Sequence, residues 1–471
     1  MQNVFSRRAA LKTIIMLAWP TVLEQILQTA VQYVDSAMVG RLGPAASAAV
    51  GSTTTINWLV NSSISALGIG FLAYISHEIG AKRHENARKA VVQAMLAALV
   101  VGLLFTVLAL SLSGIIPVWM KVEPDIQASA STYFFILYAP MLLRAASILF
   151  GTCLRAAGDT RTPLRVNILV NFVNITLNFL LIYPTRTLNL FGVSFTMPGA
   201  GLGVTGAAIA SAIAFAVGGI GMTRAIFKHR SLSPHGLKLR PDPAILKPCL
   251  RVALPCALQR FGTSFGYVAF ASMINSLGTT AIAAHSIANT AESAFYIPGY
   301  GMQTAAATLA GNSYGAGDPQ RMKRFTRMMI LLEVCLMTLS GAALFIGAEA
   351  IMGIFTPDHS VVLLGATVLR MVAVTEPVYG VSVILEGIFQ GVGDTKHCFI
   401  YNLMGMWGIR ILGTWIMLNK FGMNTAAQSG LVAAWGCMIA HNLVVGALLA
   451  VRYLRGKWNP LNRANMQATE A

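Results

Sequence analysis

Charged residues are scarce in this chain of 471 residues. They make up 11% of it, against roughly 25% in soluble domains. Acids are the rarer sign, with 17 Asp and Glu against 34 Lys and Arg. So few charges cannot cover the surface of a soluble enzyme of this length, and we exclude that class of protein.

Cysteine and histidine are also few, and neither type is arranged for metal binding. The six cysteines form no Cys-x-x-Cys pair and have no histidine neighbours at metal-ligand spacing. We therefore predict reduced cysteines packed within the fold, and neither a metal centre nor an organic cofactor.

Hydrophobic residues make up 55% of the sequence, and its mean hydropathy is +0.65. Several apolar runs reach the roughly 20 residues that cross a bilayer as a helix. The first run continues past Pro20 and Glu24 without a small-residue cleavage site, so we predict a span and not a removed leader. The pattern predicts an all-α integral membrane protein with twelve transmembrane helices, at about 13–39, 46–75, 90–118, 128–154, 164–184, 203–227, 246–276, 281–310, 325–354, 361–390, 398–419 and 427–453.

The basic residues predict the orientation in the membrane. With twelve crossings, 26 of the 34 Lys and Arg lie on the side of the amino terminus. Cytoplasmic loops carry such an excess, so we expect both termini in the cytoplasm and the chain in a bacterial inner membrane. The net charge of +17 is spread over seven short segments and forms no single basic face, which excludes nucleic acid as a partner.

The two halves of the sequence repeat. Six spans in each repeat is an even number, so both copies enter the membrane from the same side, and we predict two parallel six-helix bundles related by a pseudo-two-fold axis along the membrane normal. The bundles are residues 1–227 and 248–471, the second with a short basic tail, and the basic segment 228–247 is a cytoplasmic linker. Such pairs are typical of alternating-access transporters. The motifs that recur 235 residues apart are Pro20 and Pro255, Gly43 and Gly278, Gly80-Ala81 and Gly315-Ala316, and Gly158-Asp159-Thr160 and Gly393-Asp394-Thr395.

These motifs together resemble the multidrug and toxic compound extrusion (MATE) family over almost the whole chain. The resemblance implies an antiporter that exports organic cations and is driven by an inward proton or sodium gradient. The stretches that carry it are Pro20 with Val34 to Gly43, the turns at Gly80-Ala81 and Gly315-Ala316, Leu154 to Arg161, Gly203 to Ala208, and Gln390 to Thr395.

The resemblance also bears on the coupling ion. Members similar to the NorM branch carry acids on spans seven and ten, at places that correspond to Thr263 and Tyr379 here. Members similar to the DinF branch use an acid on span one with an Asn and an Asp on span five. This chain keeps Asp35, and its span-five pair reads Asn174 and Asn178. We therefore predict a chain closer to the DinF-like branch and proton coupling, with sodium at Asp35 as the alternative.

Polar residues form stripes along the first-half helices. At 100° per residue, Glu24 and Asp35 lie about 20° apart around span one and roughly 16 Å apart along it. An Asp that faces lipid costs about 2.5–3.5 kcal/mol at the bilayer centre, so the stripes are predicted to face the bundle interior. The alternative is that the amides only join helices. The predicted coupling residues are Asp35, Asn174, Asn178 and Glu24, and Gln28, Asn57 and Asn171 are predicted to line the substrate cavity.

The second half lacks this stripe and carries its acids elsewhere. Glu292 and Tyr296 lie one turn apart on span eight, and Glu376 and Glu386 lie on span ten. We predict that these residues also line the cavity, where the acids attract a cationic substrate and aromatic rings hold it. The alternative is a structural ion pair between one of the acids and Arg410 in span eleven.

Two other functions fit the sequence less well. A lipid-linked precursor flippase or natural-product exporter of the same superfamily would favour a basic cavity for phosphate, and the acidic stripes argue against it. A membrane enzyme needs a clustered nucleophile and base or a metal set, which the sequence does not contain. We therefore predict a monomer that exports small organic cations across the lipid bilayer by alternating access.

Overall fold

The computed structural model of the chain is almost entirely helical. The structure describes residues 7–120, 122–190, 193–423, 426–456, 458, 459 and 461. The predicted all-α class is confirmed. The sequence did not predict the short antiparallel hairpin in the connection between the fifth and sixth spans, β1 (Pro184–Leu190) and β2 (Val193–Ala200).

Eight helices lie in the described residues of the first half. Most are far longer than a soluble helix because apolar side chains continue for the thickness of a bilayer. They are α1 (Arg7–Gly40), α2 (Pro44–Gly80), α3 (His84–Leu112), α4 (Ile116–Trp119), α5 (Pro124–Tyr138), α6 (Met141–Ala156), α7 (Arg161–Leu181) and α8 (Gly203–Lys228).

Eight α-helices are also described in the second half, and a π-helical turn interrupts one of its predicted spans. The turn covers Met404–Ile411 and joins α14 to α15. The helices are α9 (Pro243–Asn275), α10 (Thr279–Gly315), α11 (Pro319–Phe355), α12 (His359–Ala373), α13 (Glu376–Val392), α14 (Thr395–Leu403), α15 (Leu412–Asn419) and α16 (Ala427–Leu454).

Two of the predicted spans are bent. α5 and α6 meet at 50°, and α12 and α13 meet at 54°. Pro140 lies in the first break and Pro377 in the first turn of α13, and proline at these places prevents the preceding helix from continuing unbent. By length and apolarity seven of the described helices can each cross a membrane, or nine spans if each bent pair counts as one. The other three predicted spans correspond to α9, α10 and the segment from α14 to α15, which carry the polar residues described below.

The chain divides into two compact units. The amino-terminal unit consists of Ile26–Phe71 and Arg83–Cys249, and the carboxyl-terminal unit consists of Met1–Gln25, Leu72–Lys82 and Leu250–Ala471. Helices α1 and α2 therefore each contribute to both units. The predicted bundles, which follow the sequence repeat, stay a prediction.

Glycines allow close helix contacts in the amino-terminal unit. A Cβ atom on Gly206 of α8 would lie 2.5 Å from the carbonyl oxygen of Leu181 in α7. A Cβ atom on Gly219 would lie 2.4 Å from the carbonyl oxygen of Leu143 in α6. Small residues bring membrane helices together in this way, so α8 is held against its two neighbours by backbone contact.

We predict that Gly219→Ala destabilises the protein. The added methyl group cannot fit without moving α6 or α8, and overpacking of this kind costs about 1–3 kcal/mol. Gly51→Ala in α2 is the matched control, because a Cβ atom there meets nothing within 4 Å. Thermal unfolding in detergent should show a lower Tm for Gly219→Ala and an unchanged or higher Tm for Gly51→Ala. Equal Tm values would contradict the packing argument.

Candidate functional site

Asp35 of α1 meets two asparagines of α7 inside the amino-terminal unit. The amide nitrogen of Asn178 donates to Asp35 Oδ1 at 2.6 Å and also lies 3.2 Å from Asn174 Oδ1. Asn174 and Asn178 are buried and lie four residues apart, on one face of α7. The structure thus brings together three of the four residues predicted to bind the coupling cation.

The amide of Asn174 can serve either charge state of Asp35. In one orientation its nitrogen donates to Ser211 Oγ at 3.3 Å. With the amide turned over, the nitrogen donates to Asp35 Oδ1 at 2.8 Å. The two ends of an amide are assigned from their partners. A charged Asp35 only accepts and suits the second orientation, whereas a protonated Asp35 can donate to the amide oxygen in the first.

Oxygen atoms for a metal cation are also present at this contact. The side-chain oxygen of Asn178 is buried and has no hydrogen-bond partner among the described residues. Carboxylate and amide oxygens are the ligands that hard cations prefer. The contact therefore offers the Asp35 carboxylate to a proton, or the carboxylate and the Asn178 oxygen together to a sodium ion.

The other residues predicted in the first half lie outside this contact. Gln28 is exposed, and the amide nitrogen of Asn171 is buried without a described partner. Glu24 is buried, at 4% exposure, and it belongs to the carboxyl-terminal unit, whereas Asp35 belongs to the other unit. The structure therefore does not bring Glu24 and Asp35 together within one unit.

Asn57 belongs to a second network, which the sequence analysis missed. Arg144 Nη1 donates to Asn57 Oδ1 at 2.8 Å, and the Tyr138 hydroxyl donates to the same oxygen at 3.2 Å. The guanidinium of Arg144 lies 4.1 Å from the ring centre of Phe215. Arg144 is a single charged residue in an apolar span, and the sequence could have indicated this network, because ionisable residues within membranes usually have a functional role.

A cavity in the carboxyl-terminal unit collects two of the predicted acids. Glu292 of α10 and Glu376 of α13 both line it, and they are 7% and 2% exposed. One carboxylate oxygen of Glu376 has no hydrogen-bond partner among the residues that the structure describes. The lining also includes Tyr267, Asn289, Tyr296, Val372, Thr375, Tyr379, Arg410, Met438 and Asn442.

Aromatic rings form one wall of this cavity. The rings of Tyr296 and Tyr379 meet edge to face at 5.8 Å, and Tyr296 makes the same kind of contact with Tyr300. The hydroxyl groups of Tyr300 and Tyr379 are 3.1 Å apart. Buried carboxylates beside ring faces form a suitable environment for an organic cation.

Arg410 also lines the cavity, and the π-helical turn carries it there. Such turns are often found at functional sites. Its guanidinium lies 5.2 Å from the ring centre of Tyr267 and 5.4 Å from that of Phe270. No ion pair within 4.0 Å joins Arg410 to a carboxylate in the described part of the chain. The predicted structural ion pair is therefore not formed in this structure.

Glu386, predicted to line the cavity, lies instead in a separate cluster of amides. Asn402 donates to Glu386 Oε1. Gln303 donates to Glu386 Oε2 at 3.2 Å, and Gln259 donates to Oε1 at 3.5 Å. These donors come from α9, α10 and α14, so this acid joins four helices. Helical spacing alone could not distinguish Glu386 from Glu292 and Glu376, the acids that line the cavity.

The fold and its buried polar groups define a polytopic membrane transporter, and comparison with known proteins identifies the family. The sequence model of the MatE family matches residues 20–180 and 255–416. These two segments begin 235 residues apart, at the two copies of the repeat. The chain belongs to this family of transporters, which are not enzymes.

Similar proteins cover nearly the full length of the chain. The "Probable multidrug resistance protein NorM" of Thermotoga maritima is 28% identical over 95% of this chain and 93% of that protein. The "Probable multidrug resistance protein YpnP" of Bacillus subtilis is 24% identical over 97% and 98%. A structure described as the "Outward-facing conformation of a multidrug resistance MATE family transporter of the MOP superfamily" has a TM-score of 0.86 at 21% identity, over 98% of this chain and 99% of that chain.

These comparisons bear on four of the predictions. The chain is a multi-pass transporter of the multidrug efflux class, and the twelve-helix arrangement in two bundles fits this fold. Alternating access is consistent with the outward-facing relative. The predicted placement closer to the DinF-like branch is not confirmed, since the Thermotoga protein is named NorM.

The Glu386 cluster yields a stability prediction. Asn402→Ala removes a donor from Glu386 Oε1 and leaves this oxygen only the Gln259 amide at 3.5 Å among its described donors, and a hydrogen bond to a charged group contributes about 1.5–3 kcal/mol. We expect a lower Tm for Asn402→Ala than for the control Asn419→Ala, whose exposed amide only donates to the carbonyl oxygen of Trp415 at 2.9 Å. In a double-mutant cycle, Asn402→Ala should lower the Tm less in the Glu386→Gln background than in the unchanged protein. If Asn402→Ala lowers the Tm equally in both backgrounds, Asn402 does not act through its contact with Glu386.

Proposed function

We propose that this chain is a proton-driven antiporter that exports small organic cations. The observation that carries the proposal is the contact of Asp35 with Asn178 and Asn174. No Lys or Arg among the described residues forms an ion pair with this carboxylate. Without a basic partner to fix its charge, Asp35 is free to change protonation state within the membrane.

The neighbours of Asp35 support both protonation states. Asn178 donates to the charged form, and Asn174 can turn its amide to donate to the charged form or to accept from the neutral form. Each state is therefore hydrogen-bonded, and neither leaves the carboxyl group unsatisfied in apolar surroundings. A group with two satisfied states can load and release a proton at a moderate cost in free energy.

The cavity of the carboxyl-terminal unit is our proposed substrate site. Glu292 and Glu376 supply negative charge, and Tyr296 and Tyr379 supply ring faces. Antiport follows if proton loading and substrate binding each favour a different conformation of the transporter, because a ligand shifts an equilibrium only by its differential affinity.

The remaining assignments rest on the sequence. The basic loops support a bacterial inner-membrane location with both termini in the cytoplasm. The span-one acid with the span-five asparagines supports a place near the DinF-like branch. We also propose a monomer, and a transport role for Glu24, Gln28, Asn57, Asn171 and Glu386 beside the residues named above.

Two alternatives have specific support. The free side-chain oxygen of Asn178 favours sodium as the second candidate ion. A flippase or natural-product exporter is the second candidate function, and Arg410 is the cavity residue that would favour an anionic group. The two buried acids of the same cavity favour a cation over that anion.

We predict that Asp35→Asn abolishes coupled transport. In proteoliposomes with an acidic interior, efflux of protons should drive uptake of a fluorescent organic cation by the unchanged protein and more than about tenfold less by Asp35→Asn, because an amide takes up no proton at neutral pH. Asp159→Asn is the control, since Asp159 lies in the turn before α7 and accepts from the Thr162 backbone nitrogen at 3.0 Å.

The same vesicles distinguish the coupling ions. A sodium-loaded interior without a pH difference should leave the dye outside. If a sodium gradient alone drives uptake of the dye, the coupling ion is sodium and not the proton. Normal proton-driven uptake by Asp35→Asn would remove Asp35 from the mechanism.

A second prediction concerns the substrate cavity. Glu376→Gln removes a buried carboxyl group that can become charged beside a cation, and we expect about tenfold weaker binding of a cationic dye, which corresponds to about 1.4 kcal/mol. Glu349→Gln is the control because Glu349 is exposed and pairs with Arg370 at 2.9 Å. Fluorescence anisotropy with purified protein in detergent gives both Kd values. Equal values would exclude Glu376 from the substrate site.

A further inference from the structure

A second cavity lies in the amino-terminal unit, away from the Asp35 contact. It has a volume of about 650 Å³ and is bounded by the first turn of α3 and by the segment that follows α8. His84 and Arg88 line it from α3, and Arg230, Ser231 and His235 line it from the segment. We call it the linker cavity. Under the proposed orientation it lies at the cytoplasmic ends of α3 and α8.

Hydrogen bonds fix the walls of the linker cavity. The guanidinium of Arg88 donates to the carbonyl oxygens of Ser233 at 2.7 Å and His235 at 2.6 Å. Further along the segment, the Gln93 side chain donates to the Arg240 carbonyl at 2.8 Å and accepts from the Asp242 backbone nitrogen at 2.9 Å. A long side chain and an amide of α3 thus hold the segment in place, so the cavity is formed before any ligand arrives.

Local contacts restrain the segment on both sides of Arg230. The Ser231 backbone nitrogen donates to Nδ1 of His229 at 3.3 Å, which requires the neutral form of that ring. Burial lowers the pKa of His229, so the ring is neutral at pH 7. The ring of His235 packs edge to face on Phe227 at 5.5 Å.

The charge of the linker cavity is positive. Arg88 and Arg230 are both charged, and the one acid in the lining, Glu85, already pairs with Lys89 at 2.8 Å. Arg230 forms no hydrogen bond or ion pair with any residue in the described ranges, and its side chain is exposed. The positive end of the α3 dipole lies at the same place. An anion would therefore meet a free guanidinium in a preformed cavity.

The chemistry of the lining favours phosphate over other anions. Guanidinium groups bind phosphate oxygens through paired hydrogen bonds, and basic pockets between transmembrane helices at the cytoplasmic side bind lipid headgroups. An apolar side chain also belongs to the cavity, since Leu237 is part of its lining. Leu239, two residues further along the segment, is 62% exposed. An exposed leucine that follows a basic cavity along the chain suits an acyl chain.

We propose that the linker cavity binds a phosphate-bearing anion, and that the headgroup of an anionic phospholipid is its source. Arg230 and Arg88 bind the phosphate group, and Leu237 and Leu239 contact the acyl chain. This site is independent of the proposed transport function, because it uses neither Asp35 nor the acids of the substrate cavity.

The test measures the Tm of the purified full chain in detergent as a function of added ligand. The ligands are short-chain phosphatidylglycerol, short-chain phosphatidylcholine and inorganic phosphate. We expect saturable stabilisation by phosphatidylglycerol. Arg230→Gln should raise the concentration for half-saturation about fivefold, the factor that corresponds to about 1 kcal/mol per basic residue near an anionic surface. Glu85→Gln should lower it, because the variant removes the one acid of the lining.

Arg240→Gln is the matched control. It removes one positive charge from the same segment, its side chain is exposed, and it does not line the cavity. Its half-saturation should equal that of the unchanged protein. The Tm without ligand should be unchanged in Arg230→Gln, because this side chain loses no hydrogen bond or ion pair with a described residue, and that measurement separates binding from folding.

Each outcome decides the proposal. Stabilisation by phosphatidylglycerol alone supports a lipid headgroup, and stabilisation by inorganic phosphate as well supports the phosphate site with a free ion as a second source. An equal effect of phosphatidylcholine, an unchanged half-saturation in Arg230→Gln, or an equal loss in Arg240→Gln would overturn it. None of these results depends on whether Asp35 couples transport to protons.

Discussion

The structure depends on one constraint: a polar side chain in an apolar membrane must find its partners within the protein. Asp35 finds Asn178, Glu386 finds three amides, and Arg144 finds Asn57 and a ring. Each of these contacts joins different helices, so polar satisfaction also decides which helix faces turn inward. The apolar surface that remains is left to the lipid.

The Asp35 contact and the substrate cavity each contain a buried polar atom without a described partner. Around Asp35 the carboxylate, two amides and a serine hydroxyl bind one another, but the side-chain oxygen of Asn178 has no described partner. In the substrate cavity one oxygen of Glu376 and the Nε atom of Arg410 have no described partner. A buried polar group without a partner is costly, and a ligand that supplies the partner recovers that cost. Both regions are therefore suited to a bound ion or molecule.

Sequence periodicity predicted the parts of this arrangement that lie along single helices. The spacing of Asn174 and Asn178 placed both on one face of α7, and a repeat of 235 residues predicted two six-span halves. Periodicity did not predict the contacts between different helices. Spacing grouped Glu386 with Glu376 on span ten, yet Glu386 turns to α9 and α14 because amide donors lie there. The hairpin of β1 and β2 was missed because it lies between two spans, where the hydropathy pattern ends.

The division of α1 explains why Glu24 was hardest to place. The sequence repeat assigns each whole helix to one half. The helical angles also treat α1 as one unit, and they put Glu24 and Asp35 on one stripe. The contacts divide the helix after Gln25, and they divide α2 after Phe71. Both helices are continuous across the division, and their first and last parts pack with different neighbours. In the carboxyl-terminal unit the Thr21 hydroxyl donates to the Gly301 carbonyl at 2.8 Å, whereas Asp35 binds α7. Helical spacing puts Glu24 and Asp35 on one stripe, but only these contacts show that the two residues belong to different units.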